Sequence, residues 1–77
     1  MSGMTTALKL PIGHEALEQA IASKTLSGLA KAIDADYQLI QGWRVKTRKF
    51  ATPAEYCRAV ERATGVPVAE LRPDLFA

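Results

Sequence analysis

The chain has 77 residues, of which 48% are hydrophobic and 23% are charged, and its formal net charge is +2. This length allows one small domain, and the composition is that of a folded protein rather than a disordered tail. No apolar run approaches the ~20 residues of a membrane span, and no secretory signal is apparent. One cysteine and one histidine provide no metal-ligand spacing and little for nucleophilic catalysis. We therefore expect a cytoplasmic protein that is not an enzyme and has no cofactor, bound metal or membrane association.

Positive charge is concentrated in one short segment. Residues 37–50 carry a net charge of +4 and no acid, whereas residues 14–36 carry −2 and residues 51–77 carry −1. A concentrated basic patch favours nucleic-acid binding more than the total charge does. The alternative is an ordinary solvated surface. The four basic residues of this segment are Arg44, Lys46, Arg48 and Lys49.

The first part of the chain predicts a tail followed by two helices. Residues 1–13 have no sustained period, so we predict a tail that is ordered only in part, before a domain over residues 14–77. A helical period then predicts a first helix over residues 14–23, with His14 exposed at its start. The second helix should begin near Thr25 or Ser27, either of which can cap it. The predicted inward positions of both helices are Leu17, Ile21, Leu29, Ala30 and Ile33.

Two further helices follow, each with a recognisable start. Asp36 is placed to cap a third helix that runs from Tyr37 to about Arg44. The fourth helix should start at Thr52-Pro53-Ala54-Glu55, with a capping threonine, a proline at the first helical position and a glutamate three residues after the cap. Gly65 should end it, before a last short turn over Val68–Leu71. The predicted inward residues are Ile40, Trp43, Tyr56, Cys57, Val60 and Ala63 or Thr64.

The connection between the second and third helices resembles a known DNA-binding motif. A turn of about three residues between two short helices makes them cross steeply. Asp34 stands where glycine is usual in that motif, and aspartate tolerates the left-handed conformation better than most residues. Residues 25–44 resemble the helix-turn-helix of phage Cro and repressor proteins, which implies an all-α, lambda-repressor-like bundle of four to five helices. The residues that carry this resemblance are Leu29, Ala30, Ile33, Ile40 and Trp43.

A second resemblance covers most of the domain, residues 25–76. The strings Val60-Glu61-Arg62-Ala63-Thr64-Gly65 and Glu70-Leu71-Arg72-Pro73-Asp74 look like the YdaS-like branch of Cro-type regulators. This implies a prophage-type or toxin–antitoxin-type regulator that binds a palindromic operator in double-stranded DNA, as a homodimer. Two alternatives stay open. The protein is an antitoxin or operon autoregulator that also binds a toxin or other protein partner, or it is a helical interaction module with no role at DNA.

The resemblance makes the third helix the recognition helix, whose N-terminal end would enter the major groove. Gln38 and Gln41 are the first candidates for base reading, because glutamine suits bidentate contact with adenine. Tyr37 would meet a thymine methyl or a phosphate. Gly42 would let the DNA approach the backbone, unless it marks an early end of the helix. A solvated surface is the alternative for the two glutamines.

The same resemblance assigns phosphate contacts to the residues around the recognition helix. Arg44, Lys46, Arg48 and Lys49 would follow the DNA backbone, and Ser27 would add a contact at the start of the second helix. Trp43 and Cys57 are expected in the core rather than at the site. The C-terminal apolar residues either form a dimer surface or fold back onto the first and fourth helices; they are Val66, Val68, Leu71, Leu75 and Phe76.

Overall fold

Six helical segments make up the computed structural model, which describes residues 10–76. They are α1 (His14–Lys24), α2 (Leu26–Ala32), α3 (Tyr37–Trp43), α4 (Ala54–Thr64), α5 (Val68–Leu71) and α6 (Pro73–Phe76). The predicted all-α bundle is confirmed. The one-turn α6 was not predicted, and neither was an isolated parallel bridge between Ile12 and Phe50. No helix in this part of the chain is long and apolar enough to cross a membrane.

The core lies between α1, α2, α3, α4 and α5. Most of its members are inward positions that helical spacing predicts, since residues three and four apart share a face, and Ala51 and Val66 join them from the connecting segments. Ile40 and Trp43 attach α3 to this core, and Trp43 is only 1% exposed. Tyr56 contributes a half-buried ring whose centroid lies 5.1 Å from that of Trp43. The largest fully buried side chains are Trp43, Leu17, Leu29, Ile40, Leu71, Val60, Thr52 and Cys57.

A tight turn joins α2 to α3. Thr25 caps α2 by accepting a hydrogen bond from the Gly28 amide at 3.1 Å. Asp36 caps α3 in the same way, because its Oδ1 accepts from the amide of Gln38 at 2.9 Å. Between the two helices Asp34 has a φ of 57°, the left-handed conformation expected of a residue in the glycine position. The predicted caps and the predicted turn are therefore confirmed.

The predicted start of α4 is wrong in its cap. The helix begins at Ala54 after an extended Pro53, and no side chain caps its first amides. Thr52 is instead fully buried, and among the described residues its Oγ1 has no hydrogen-bond partner. Its carbonyl accepts a hydrogen bond from Nη1 of Arg72 at 3.3 Å. The cap is lost because the chain passes through the core at Thr52 and enters the helix only two residues later.

A buried arginine connects the C-terminal segment to the residues that precede α4. Arg72 is 7% exposed, and its Nε and Nη2 donate to the two oxygens of Asp74 at 2.9 and 2.8 Å. The guanidinium carbon lies 4.1 Å from the ring centroid of Phe50, a distance typical of cation–π contact. Arg72 thereby fixes the Leu-Arg-Pro-Asp string against Phe50 and Thr52, and Asp74 holds the guanidinium in place. The string is a structural element of the fold.

The C-terminal apolar residues mostly fold back onto the domain. Val66 and Leu71 are buried, while Val68 and Phe76 are half-buried against the core. A dimer surface built from all five residues is therefore wrong, because these side chains are already covered within one chain. Leu75, 54% exposed, is the exception.

The end of the N-terminal tail is tied to the segment before α4. The amide of Ile12 donates to the Lys49 carbonyl at 3.0 Å, and the Ala51 amide donates to the Ile12 carbonyl at 2.9 Å. These contacts involve residues 10–13 of the predicted tail; residues 1–9 lie outside the described residues, so partial order over residues 1–13 stays a prediction. His14 was predicted to be exposed, which is wrong. Its ring is half-buried and its Nδ1 is inaccessible, because residues 10–13 pack beside the start of α1.

Candidate nucleic-acid interface

One face of α3 is polar and open to solvent. Gln38 and Gln41 are three residues apart and exposed, on the side of the helix that does not carry Ile40. Gly42 lies inside the last turn of α3, so the helix does not end at this glycine. A Cβ added to Gly42 would have no atom within 4 Å, so the backbone is accessible there. This face places two amide side chains beside an uncovered stretch of helix backbone.

The start of α2 lies next to the start of α3. Ser27 and Lys31 from α2 line a shallow cleft together with Tyr37, whose ring is exposed. Asp34 and Asp36 line the same cleft, and Asp36 is the cap of α3. The structure therefore brings Ser27 and Tyr37 together at the junction of the two helices, with acidic groups of the turn beside them.

An ion pair fixes the arginine that follows α3. Nε of Arg44 donates to Oε2 of Glu18 at 2.8 Å, and Nη2 donates to Oε1 at 3.0 Å. The hydrogen bond holds the pKa of the Glu18 carboxyl below its ordinary value and raises the pKa of Arg44. Gln41 and Lys46 line the same open cleft as this pair. The end of the polar face is therefore connected to α1.

The four basic residues of the segment after α3 differ in their surroundings. Lys46 and Lys49 are exposed. Arg48 is half-buried, because its Nε donates to the Phe50 carbonyl at 3.0 Å and its guanidinium lies 5.2 Å from the Phe50 ring centroid. Arg44 is paired with Glu18. Two of the four predicted phosphate contacts thus have guanidinium groups already engaged, Arg44 by α1 and Arg48 by Phe50 of the same segment. The two lysines point to solvent without such contacts among residues 10–76.

Three residues at this surface were missed by the sequence analysis. Leu39 on α3 is 41% exposed and Val45 just after it is 49% exposed, although the amphipathic pattern assigns apolar residues to the core. Glu18 was missed because it lies 26 residues from Arg44, and no local spacing connects the two. The exposure of Leu39 follows from its position between the core side and the open side of α3.

The cysteine of the chain lies in the core, away from the polar face of α3. The buried Cys57 has its Sγ 3.5 Å from the Pro53 carbonyl, and burial raises the pKa of its thiol. A buried thiol with a raised pKa is a poor nucleophile. Across residues 10–76, no group of three or more His, Cys, Asp or Glu side chains is arranged to hold a metal ion.

These features define a small all-helical domain that presents a polar helix face beside a basic segment. The family described as "Bacterial toxin YdaS" matches residues 17–77. The chain belongs to this family, so the YdaS part of the resemblance is confirmed. No curated protein and no solved structure matches the chain significantly.

Proposed function

We propose that this protein is a sequence-specific DNA-binding transcriptional regulator of the Cro/repressor type. The single observation that carries the proposal is the surface on which the exposed Gln41 adjoins the exposed Lys46, with the exposed Gln38 three residues before Gln41 on the same helix. In this proposal α2 and α3 form the helix-turn-helix, and α3 is the recognition helix. This arrangement supports DNA binding because a single surface then carries amide side chains that can contact base edges and basic side chains that can contact phosphates.

The face of α3 would read bases. The amide of a glutamine can donate to N7 and accept from N6 of adenine, a pairing worth ~1–3 kcal/mol of discrimination. Gln38 and Gln41 take this role, and the exposed Leu39 and Tyr37 offer apolar contact with a thymine methyl group. The uncovered backbone at Gly42 lets the helix sit close to the groove.

The surrounding basic residues would hold the phosphate backbone. Lys46 and Lys49 contribute mobile point charges, and Arg44 and Arg48 contribute guanidinium groups already held in place. Ser27 would add a contact from the start of α2, which lies beside Tyr37. On a palindromic operator a homodimer presents each contact twice. If each protomer neutralises about four phosphates, the affinity should fall with salt at a log–log slope of about −7.

A second candidate function follows from the family. Its description names a bacterial toxin. This favours a role in a toxin–antitoxin pair, in which the chain controls its own operon and also binds a protein partner. The exposed Leu75 and Leu10 give such a partner apolar contacts on the described surface. The DNA experiment below tests the DNA binding that both candidates share, because a chain that acts only through a protein partner shows no preference among duplexes.

Substitutions of the glutamines and of the lysines should weaken DNA binding in different ways. The wild-type protein is used to enrich duplexes from a random-sequence pool, and affinities are measured by fluorescence anisotropy for an enriched and a random duplex at several salt concentrations. Gln38→Ala or Gln41→Ala should cost ~1–3 kcal/mol on the enriched duplex and little on the random one. Lys46→Ala with Lys49→Ala should weaken both duplexes alike and flatten the salt slope by about 0.9 per lost contact.

Matched controls lie on other faces of the domain. Gln19→Ala removes an exposed glutamine from α1. Lys24→Ala with Arg62→Ala removes two charges from the cleft between α1 and α4. These controls should bind both duplexes as the wild type does. The same loss from the glutamine and the lysine variants would contradict the division of roles, and no enrichment of any duplex would contradict DNA reading itself.

Gly42→Ala should raise the stability of the protein and lower its affinity for DNA. Alanine is favoured over glycine inside a helix by roughly 0.5–1 kcal/mol, and a Cβ at Gly42 meets no atom within 4 Å. The variant should therefore unfold at a slightly higher urea concentration. On DNA the added methyl group would stand between the helix backbone and the groove, so affinity for the enriched duplex should fall by about tenfold. A variant that is more stable and binds with unchanged affinity would show that DNA does not approach this backbone.

A further inference from the structure

We propose that Glu18, which lies on α1 outside the helix-turn-helix, is a positioning residue for Arg44. Its carboxylate holds one edge of the guanidinium, so that the other edge faces a pair of acceptor atoms on DNA. This inference rests on the proposed function, and it adds to that function a residue that makes no DNA contact of its own.

The hydrogen bonds define which edge is held. The carboxylate of Glu18 receives Nε and Nη2 of Arg44 at 2.8 and 3.0 Å. Two parallel bonds fix the plane of a guanidinium group as well as its distance. A guanidinium has five N–H donors in a rigid fork, and this pair uses two of them. Nη1 and the second hydrogen of Nη2 form the remaining edge, and within residues 10–76 Nη1 has no hydrogen-bond acceptor.

The position of that edge is set by the fold. Arg44 directly follows α3, and its amide donates to the Gln41 carbonyl at 3.1 Å, so its backbone is fixed relative to the helix. Gln41 and Lys46 line the same cleft as the ion pair. The remaining edge of Arg44 therefore borders the surface that carries the other proposed DNA contacts.

Holding the side chain in this way changes how it meets DNA. An arginine side chain is long and adopts many rotamers, and ordering it on binding weakens affinity. Glu18 has already ordered it. The remaining edge has two parallel donors, which match either O6 and N7 of guanine or two oxygens of a phosphate. The negative charge of Glu18 repels the DNA phosphates. The ion pair therefore weakens non-specific electrostatic attraction and keeps the oriented contact of the Arg44 guanidinium.

A double-mutant cycle tests the proposal. Lysine at position 44 keeps the charge but lacks the fork. On the enriched duplex, Arg44→Lys should lower affinity by about tenfold in the wild-type background and by less than about threefold in the Glu18→Gln background. Glu15→Gln is the matched control, because it removes the same charge from the first turn of α1, and in its background the tenfold loss should persist. Equal losses in the wild-type and Glu18→Gln backgrounds, or a harmless Arg44→Lys, would overturn the proposal.

Two further readouts exclude a purely structural role. Glu18→Gln should melt within about 5 °C of the wild type, because an exposed ion pair adds little stability. It should also steepen the salt slope by up to about 0.9 per protomer, because the carboxylate of Glu18 then no longer offsets part of the attraction between Arg44 and the phosphates. An unchanged slope with a lowered melting temperature would assign Glu18 to the fold alone and overturn the proposal.

Modified duplexes identify the acceptors. Replacing guanines with 7-deazaguanine removes N7, and methylphosphonate linkages remove phosphate charge. Whichever change abolishes the loss caused by Arg44→Lys marks the contacted group, and either result supports the proposal. A loss that neither change affects would overturn contact with DNA. If the wild-type protein binds no duplex, the proposed function and this inference are both overturned. If it binds but the effects of Arg44→Lys and Glu18→Gln are additive, only the role of Glu18 is overturned.

Discussion

Replacing Gly13 with alanine should destabilise the protein by about 2–5 kcal/mol. Gly13 precedes α1 with a φ of 77°, a conformation that costs alanine energy. A Cβ at this position would also lie 1.9 Å from the carbonyl oxygen of Leu71 and 2.8 Å from its carbonyl carbon. Both atoms belong to the backbone, so no side-chain rotation relieves the clash. Either the start of α1 or α5 must move, and Leu71 is fully buried, so the movement opens the core.

Gly65 provides the matched control for this prediction. It ends α4 with a φ of 81°, and a Cβ there would have no atom within 4 Å. Gly65→Ala should therefore cost only the roughly 1–2 kcal/mol of the left-handed conformation. Urea unfolding followed by circular dichroism measures both variants. Equal losses at Gly13 and Gly65 would show that close approach to Leu71 adds nothing beyond the backbone conformation.

Replacing Trp43 with alanine should cost about 3–5 kcal/mol, a large part of the stability of a domain this small. The indole is 1% exposed, and its ring is tilted at 49° to that of Tyr56. Ile40 is the only other buried residue of α3, so the helix would lose one of the two side chains that attach it to the core. The variant should be partly unfolded at room temperature, and the proposed DNA binding should be lost together with the fold.

The measurement is thermal unfolding followed by far-ultraviolet circular dichroism. Trp43→Phe should keep most of the packing and lose only part of the stability. Tyr37→Ala, which truncates an exposed aromatic residue of the same helix, should change stability by less than about 0.5 kcal/mol. A melting temperature of Trp43→Ala that stays close to that of the wild type would contradict the assignment of this residue to the core.

Local signals predicted much of the fold. Helical spacing located the inward residues, and short polar side chains located two of the caps, because these features depend on residues two to four positions apart. Gly65 was predicted as the end of α4 for the same reason, and it adopts the left-handed conformation there. The same rule failed at Thr52, whose surroundings are set by Arg72, 20 residues further along the chain. No local pattern indicates that a threonine suited to capping will be buried.

The site was predictable to a similar extent. The exposed face of α3 followed from its period, so Gln38 and Gln41 lie where the sequence placed them. The contacts that the basic residues make within the protein could not be predicted from the sequence. Glu18 reaches Arg44 from α1, 26 positions away along the chain. Arg48 and Phe50 are only two residues apart, but their contact requires the turn conformation of this segment, which the spacing alone does not reveal. Such pairings depend on the path of the backbone in three dimensions, which composition and spacing do not encode.

The segment between α3 and α4 is anchored at both of its ends. Trp43 and Ala51 are buried on either side of it, and Ile12 exchanges two hydrogen bonds with residues 49 and 51. A short loop with fixed ends has few conformations, so little conformational entropy remains to be lost when a ligand orders it. In the proposed association with DNA, calorimetry should therefore show only a small opposing contribution from ordering of this loop.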